Sequence, residues 1–205
     1  MTKPSLSNST TRWRRLAGLS LLCLSLGGCS AFMAQNPSGA MKPVNAAANA
    51  GEDRVMLQGH DVVAYFTQGT HALGQAQFKS VYEGVTFRFA SARNKALFDA
   101  SPSRYLPQYG GFCANGIVYA IPWGGDADSW SLIDGKLYIF GGADSKSAFL
   151  LDVPANRALA DKYWAEEVRG SNSIIQRSQR LVFRVPHYKS GEELAQMVKA
   201  AGQKK

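Results

Sequence analysis

Cysteine is scarce: three residues in 205, at positions 23, 29 and 113. That count excludes a small disulfide-stapled secreted scaffold, and a chain of this length needs no staple to bury a sizeable core. Whole classes of signature are also missing. There is no nucleophile elbow, no phosphate-cradling glycine loop, no H-E-x-x-H and no dinucleotide fingerprint, so nothing in the sequence gives positive support to an enzyme of those classes. No apolar run reaches the ~20 residues of a spanning helix, and no internal repeat is visible. The apolar fraction of 45% with 19% charged residues is nonetheless that of an ordinary globular chain.

Acidic residues are the minority charge. The 23 Lys+Arg outnumber 15 Asp+Glu, for a formal net charge of +8. The excess is local. Lys3, Arg12, Arg14 and Arg15 form an acid-free leader, and residues 169–205 hold eight basic against two acidic residues. The stretch between Ser30 and Val168 is net −2. The overall charge therefore describes two ends and gives no argument for nucleic acid.

Behind the basic leader, Leu16 to Leu26 is an apolar run of 11 residues, the length of a secretory h-region. Leu26-Gly27-Gly28-Cys29 then resembles the lipobox of bacterial lipoproteins, which implies a signal over residues 1–28, acylation of Cys29 and attachment to a membrane. Ser30 rather than Asp after that cysteine favours, by the same resemblance, the outer membrane facing the periplasm. A plain signal peptide cut near Gly28, or a cytosolic protein with an apolar leader, is the alternative. With Cys23 removed and Cys29 acylated, Cys113 is left as a lone free thiol. Residues 29–50 are rich in Ala, Asn, Pro and Ser without apolar period and read as a flexible tether, reaching roughly 25 Å at ~5–6 Å × √n.

The pattern beyond predicts an α+β fold: a hairpin-plus-helix domain over 51–141 and a helical extension over 142–205. Val62 to Phe66 reads as a short strand. Gln77–Tyr82 and Val85–Phe89 flank Glu83-Gly84 and read as a hairpin. Ser91 caps a helix to Ala100, which Pro102 ends. Gly116 to Pro122 reads as a strand, and Trp130–Ile133 with Lys136–Phe140 as a second hairpin around Asp134-Gly135. Helices follow from Asp144, from Pro154, over Asn172–Phe183 and from Ser190.

The centre of the chain is Pro102 to Cys113, PSRYLPQYGGFC, where two tyrosines, a Gly-Gly bend and the thiol fall together. Gly59-His60-Asp61-Val62-Val63-Ala64-Tyr65-Phe66, the Tyr82-to-Ser91 hairpin, Phe98, Pro102, Tyr105 and Tyr109-Gly110-Gly111-Phe112-Cys113 together resemble the YHS-domain family, closest to its exported and lipoprotein branch. The resemblance implies a small α+β domain related to treble-clef metal modules. One departure stands out: metal-binding members carry several cysteines, and a Cys₄ zinc site cannot be built from one.

The candidate site residues follow. Cys113 is a soft-metal ligand or a nucleophile if ionised, and otherwise a small buried hydrophobe. His60 sits in a glycine-led turn beside Asp61, which would orient its ring; the plainer alternative has both serving the turn. If His60 and Cys113 converge, Tyr65 or Tyr109 lines the gap, and copper or zinc are the candidate ions. Asp126 and Asp128 lack the further ligands of an EF-hand. Trp123 and Trp130 bracket that loop as core or stacking aromatics, and His71 and His187 have no partner in the sequence. Arg177, Arg180 and Arg184 share a helix face and would contact an anionic membrane surface or simply solvent. The expectation is a lipid-anchored periplasmic binding module for a metal or small ligand near Cys113 and His60. The alternatives are an envelope protein without a small ligand, and a thiol enzyme with Cys113 as nucleophile and His60 as base.

Overall fold

The computed structural model describes residues 33–49 and 51–203. The leader, the lipobox and Cys29 lie outside the described residues. The protein is α+β, as the pattern predicts.

The first half is a four-stranded sheet in the order β1-β2-β4-β3. Strands β3 (Gln75–Tyr82) and β4 (Val85–Phe89) form the expected antiparallel hairpin. Both turn residues, Glu83 (φ 49°) and Gly84 (φ 77°), take left-handed conformations, the geometry that matches the twist of two strands joined by two residues. Helix α2 (Ala92–Ala100) follows, started by the Ser91 hydroxyl, which accepts from Asn94 N–H. Phe98 on this helix lies between Phe87 and Phe89 of β4, at ring centroid distances of 4.7 and 5.1 Å. Each such pair stabilises by ~0.5–1.5 kcal/mol beyond its buried area. A short helix α3 (Pro102–Tyr105) continues past the proline.

The tether reading does not hold over its C-terminal part. Val44 is fully buried, and β1 (Ala46–Asn49) pairs antiparallel with β2 (Glu52–Met56), which in turn runs parallel to β4. Ala and Asn are poor strand formers. Pairing with β2 overrides that preference and closes one edge of the sheet.

Val62 to Phe66 is not a strand either. Ala64–Thr67 is a helical turn, α1. One oxygen of Asp61 accepts from the amides of Val63 and Ala64, and this cap starts the turn. Residues 62–65 are completely buried, and a run buried on all sides has no period to distinguish helix from strand.

The second half is built on the two-stranded sheet of β5 (Asp126–Ile133) and β6 (Lys136–Phe140), turned at Asp134 and Gly135 as expected. Gly116 to Pro122, read as a strand, is helical at first: α4 spans Ala114–Ile117, and the chain then reverses through Ala120 at φ 58°. Around β6 pack α5 (Ala143–Leu150) and α6 (Val153–Tyr163), the latter continued by a wider turn over Trp164–Val168. Their apolar faces meet α4 in a second core containing Phe112, Tyr138, Phe140 and Phe149. Helices α7 (Ser173–Val182) and α8 (Gly191–Gly202) complete the chain. Among the described residues, no helix is long and apolar enough to cross a membrane.

Candidate functional site

Asp61 sits at the base of the first half, fully buried. Its second oxygen accepts from the Ala90 amide (2.8 Å) and from Asn94 Nδ2 (2.7 Å). One carboxyl group thus ties α1, the end of β4 and the first turn of α2 together, with all its contacts spent inside the fold. It does not orient the neighbouring imidazole.

His60 instead hydrogen-bonds backbone. Its Nδ1 is 2.9 Å from Leu57 O; a carbonyl can only accept, so the proton is on Nδ1. Leu57 (φ 46°) and Gln58 (φ 56°), both left-handed, make the sharp turn that brings this about. His71 faces it, ring centroids 6.0 Å apart, across a bridge between His60 and Leu73. With Asp126 and Asp128 the two imidazoles line a cleft of about 330 Å³.

Cys113 lines a different cleft, about 440 Å³ in volume. The shared site of His60 and Cys113 expected from the sequence is therefore not formed. The thiol is buried, and its Sγ lies 3.6 Å from Ser145 Oγ, which itself donates to Gly142 O. The sulfur is held as a weak donor at the end of a hydroxyl chain. Tyr119, Trp123 and Tyr188 bring three aromatic rings to the walls, and Asn115, Asp144 and Ser145 bring polar atoms. Burial, followed by the neighbouring Tyr188 and Glu193, raises the Tyr119 hydroxyl to about 12, so it remains a neutral donor at physiological pH.

The floor between the two halves is held by glycines and one asparagine. Asn45 Nδ2 donates to both Gly111 O and Gly125 O, at 2.9 Å each, while its own N–H donates to Gly110 O (2.8 Å). A Cβ on Gly125 would meet Ile139 Cγ2 at 2.5 Å and Gly111 O at 2.7 Å, so only glycine lets the loop after Trp123 lie this close. Cys113 N–H donates to Trp123 O (2.9 Å), and Cys113 forms an isolated parallel bridge with Ile139.

Tyr65 and Tyr109 line no gap between His60 and Cys113. The Tyr65 hydroxyl donates to Ala127 O (2.7 Å) and its ring meets Trp130 edge-on at 5.1 Å. The Tyr109 hydroxyl donates to Asp161 (2.8 Å). Burial, first among the causes, pushes both phenols well above their ordinary range. His187 is also structural, its Nε2 bonded to Val118 O at 2.9 Å and its ring stacked on Tyr163. Of the two tryptophans beside the D-x-D loop, Trp130 packs against the first core while Trp123 is half exposed, with the Arg177 guanidinium 5.3 Å from its ring.

The three arginines do not form a free membrane-facing row. Arg177 donates to Pro122 O (2.7 Å), and burial lowers its pKa. Arg180 is paired with Glu167. Arg184 is exposed and lies over the Tyr188 ring.

The cleft residues outside the family motif were not singled out by sequence reading. Asn115, Tyr119 and Tyr188 come from α4, the turn after it and the segment before α8. Asp144 and Ser145 stand out in the sequence only as helix starters. No local signal joins positions so far apart.

A hairpin packed on a capped helix, followed by a glycine-bent loop, defines a small α+β module of the kind expected from the sequence. Residues 63–109 match the model of the YHS domain, the family that the sequence resembles. No curated protein and no solved structure matches the chain. The match stops at Tyr109, before Cys113 and the cleft around it. The family match suggests a possible metal-binding module; among the described residues, no three His, Cys, Asp or Glu side chains are grouped to hold an ion.

Proposed function

We propose that the protein is a lipid-anchored binding module of the bacterial cell envelope, attached through Cys29 to the outer membrane, facing the periplasm, and holding a small organic ligand in the Cys113 cleft. The observation that carries the ligand reading is the lining of that cleft. Three aromatic rings face Asn115, Asp144 and Ser145 around about 440 Å³ of space, within the ~300–1,000 Å³ of typical small-molecule sites. The ligand class is a flat, largely apolar molecule with a hydrogen-bonding edge: rings stack on rings, and the polar atoms fix orientation. The envelope reading rests on the leader and lipobox.

The thiol-enzyme alternative lacks its base, because the group beside the Cys113 sulfur is the Ser145 hydroxyl and His60 lines the other cleft. A test uses indole as a flat-ring probe, with amide NMR shifts as readout. Shifts are expected at Gly124, Gly141 and Ser145 in the wild type and not in Ser145→Phe, which fills the cleft. Equal shifts in both proteins, or none in either, overturn the reading.

A further inference from the structure

Helix α7 is turned inside out. Four of its polar residues point into the protein, with Ser178 and Gln179 left outside: Ser173 and Gln176 are buried, Gln176 Nε2 donates to Ala120 O (3.2 Å), and Arg177 and Arg180 are held by Pro122 O and Glu167. Apart from half-buried Ile174, its apolar residues point out. Ile175 is 54% exposed, Leu181 45%, Val182 73% and Phe183 71%. An amphipathic helix on a globular protein normally shows the reverse, with its apolar stripe toward the core. Here the outward apolar residues cluster at the C-terminal end of the helix and are followed by exposed Arg184.

The N-terminal end of the described chain is fastened to the same helix. Asn36 Oδ1 accepts from the Ser173 amide (2.7 Å), the Ser173 hydroxyl lies 3.2 Å from Gln35 Oε1, and Arg177 donates to Gln35 Oε1 (3.4 Å). Cys29 is only six positions before Gln35. Six residues span at most ~20 Å even when fully extended. The ten residues of α7 are ~15 Å long. An acyl chain on Cys29 is therefore tethered within roughly 35 Å of Val182 and Phe183, the ~20 Å of chain added to the ~15 Å of helix.

We infer that the exposed end of α7, Leu181-Val182-Phe183 with Arg184, docks on the bilayer surface beside the acylated N-terminus, the apolar side chains entering the interface and the arginine meeting anionic headgroups. The inference rests on the acylation reading above. Two neighbouring attachments fix the orientation of the domain, whereas one acyl chain alone leaves it free to tumble.

The test uses the full protein purified from membranes in a Cys113→Ser background, with an environment-sensitive fluorophore on Phe183→Cys or, as control, on Lys79→Cys in β3. In phosphatidylglycerol-containing vesicles carrying a doxyl-lipid quencher, position 183 is expected to shift to the blue and lose its emission, while position 79 keeps the spectrum of water. Solvent-like emission at both positions, with the mass of the N-terminal peptide showing acyl chains, overturns the docking and leaves the anchor standing. If that mass shows no acyl chain, the anchor reading fails, and vesicle sedimentation of the same protein decides the patch. Association that is lost in Phe183→Asp sustains it, and no association overturns it. An apolar environment at position 183 before vesicles are added means that protein covers the patch, a second copy or residues 16–26, and also overturns it.

Discussion

Removing the carboxyl group of Asp61 tests the reading of that residue as the tie of the first half. It receives four hydrogen bonds. In Asp61→Ala the Ala64 amide keeps a partner, because it also donates to the Asp61 carbonyl (3.2 Å). The Val63 and Ala90 amides and the Asn94 side chain lose theirs, in surroundings where residues 62–65 are fully shielded from water. Each orphaned buried donor costs ~1–3 kcal/mol. Some relaxation is certain, so the expected loss is about 4 kcal/mol. Asp61→Asn keeps one acceptor oxygen and should lose about half as much. In the double variant Asp61→Ala/Asn94→Ala one orphan disappears, so its loss should fall short of the sum of the Asp61→Ala and Asn94→Ala losses by ~1–2 kcal/mol. Urea unfolding followed by tryptophan fluorescence measures the wild type and the four variants. A loss below ~1 kcal/mol in Asp61→Ala would refute the reasoning and return Asp61 to the pool of ligand candidates.

Two further outcomes are expected. Glu52 accepts from Lys79 (2.6 Å) and from Arg88 (2.9 and 2.7 Å), and the Lys79 hydrogen bond, with Arg88 behind it, holds its carboxyl below the usual 4.5. The unfolded chain binds that proton first as pH falls. The stability gained from the pair is thus complete above about 4.5 and is lost as pH drops below it toward the folded value; unfolding curves of Glu52→Gln should show a shallower acid slope, and an unchanged slope rules the pair out. Gly125→Ala forces a Cβ into Ile139 and Gly111 O; a loss of ~1–3 kcal/mol in urea is expected, and a wild-type midpoint would show that the loop moves aside freely.

Much of the first half could be read from the sequence because its signals are local. Glu83-Gly84 and Asp134-Gly135 are two-residue turns between strands paired directly across them, and Ser91 and Ser190 are cap residues with their helices directly behind. Ser190 even completes a capping box with Glu193. The misread segments share one cause. Val62–Phe66 and Gly116–Pro122 are buried almost throughout, so polarity does not alternate along them. The cue available for the first was Asp61, an N-cap residue just upstream. Residues 46–49 were read as tether because composition speaks for the isolated segment and not for the strand beside it. The cleft was invisible for a different reason. Its walls come from residues between 113 and 194, and the thiol drew attention to a histidine that the fold places elsewhere.

The single side chain of Asn45 grips the carbonyls of Gly111 and Gly125, from two separate loops, and its main chain adds a third hold at Gly110. Cropping the polypeptide to the boundaries of the family match would keep the hairpin and its helix but discard this clasp together with all three glycines it holds.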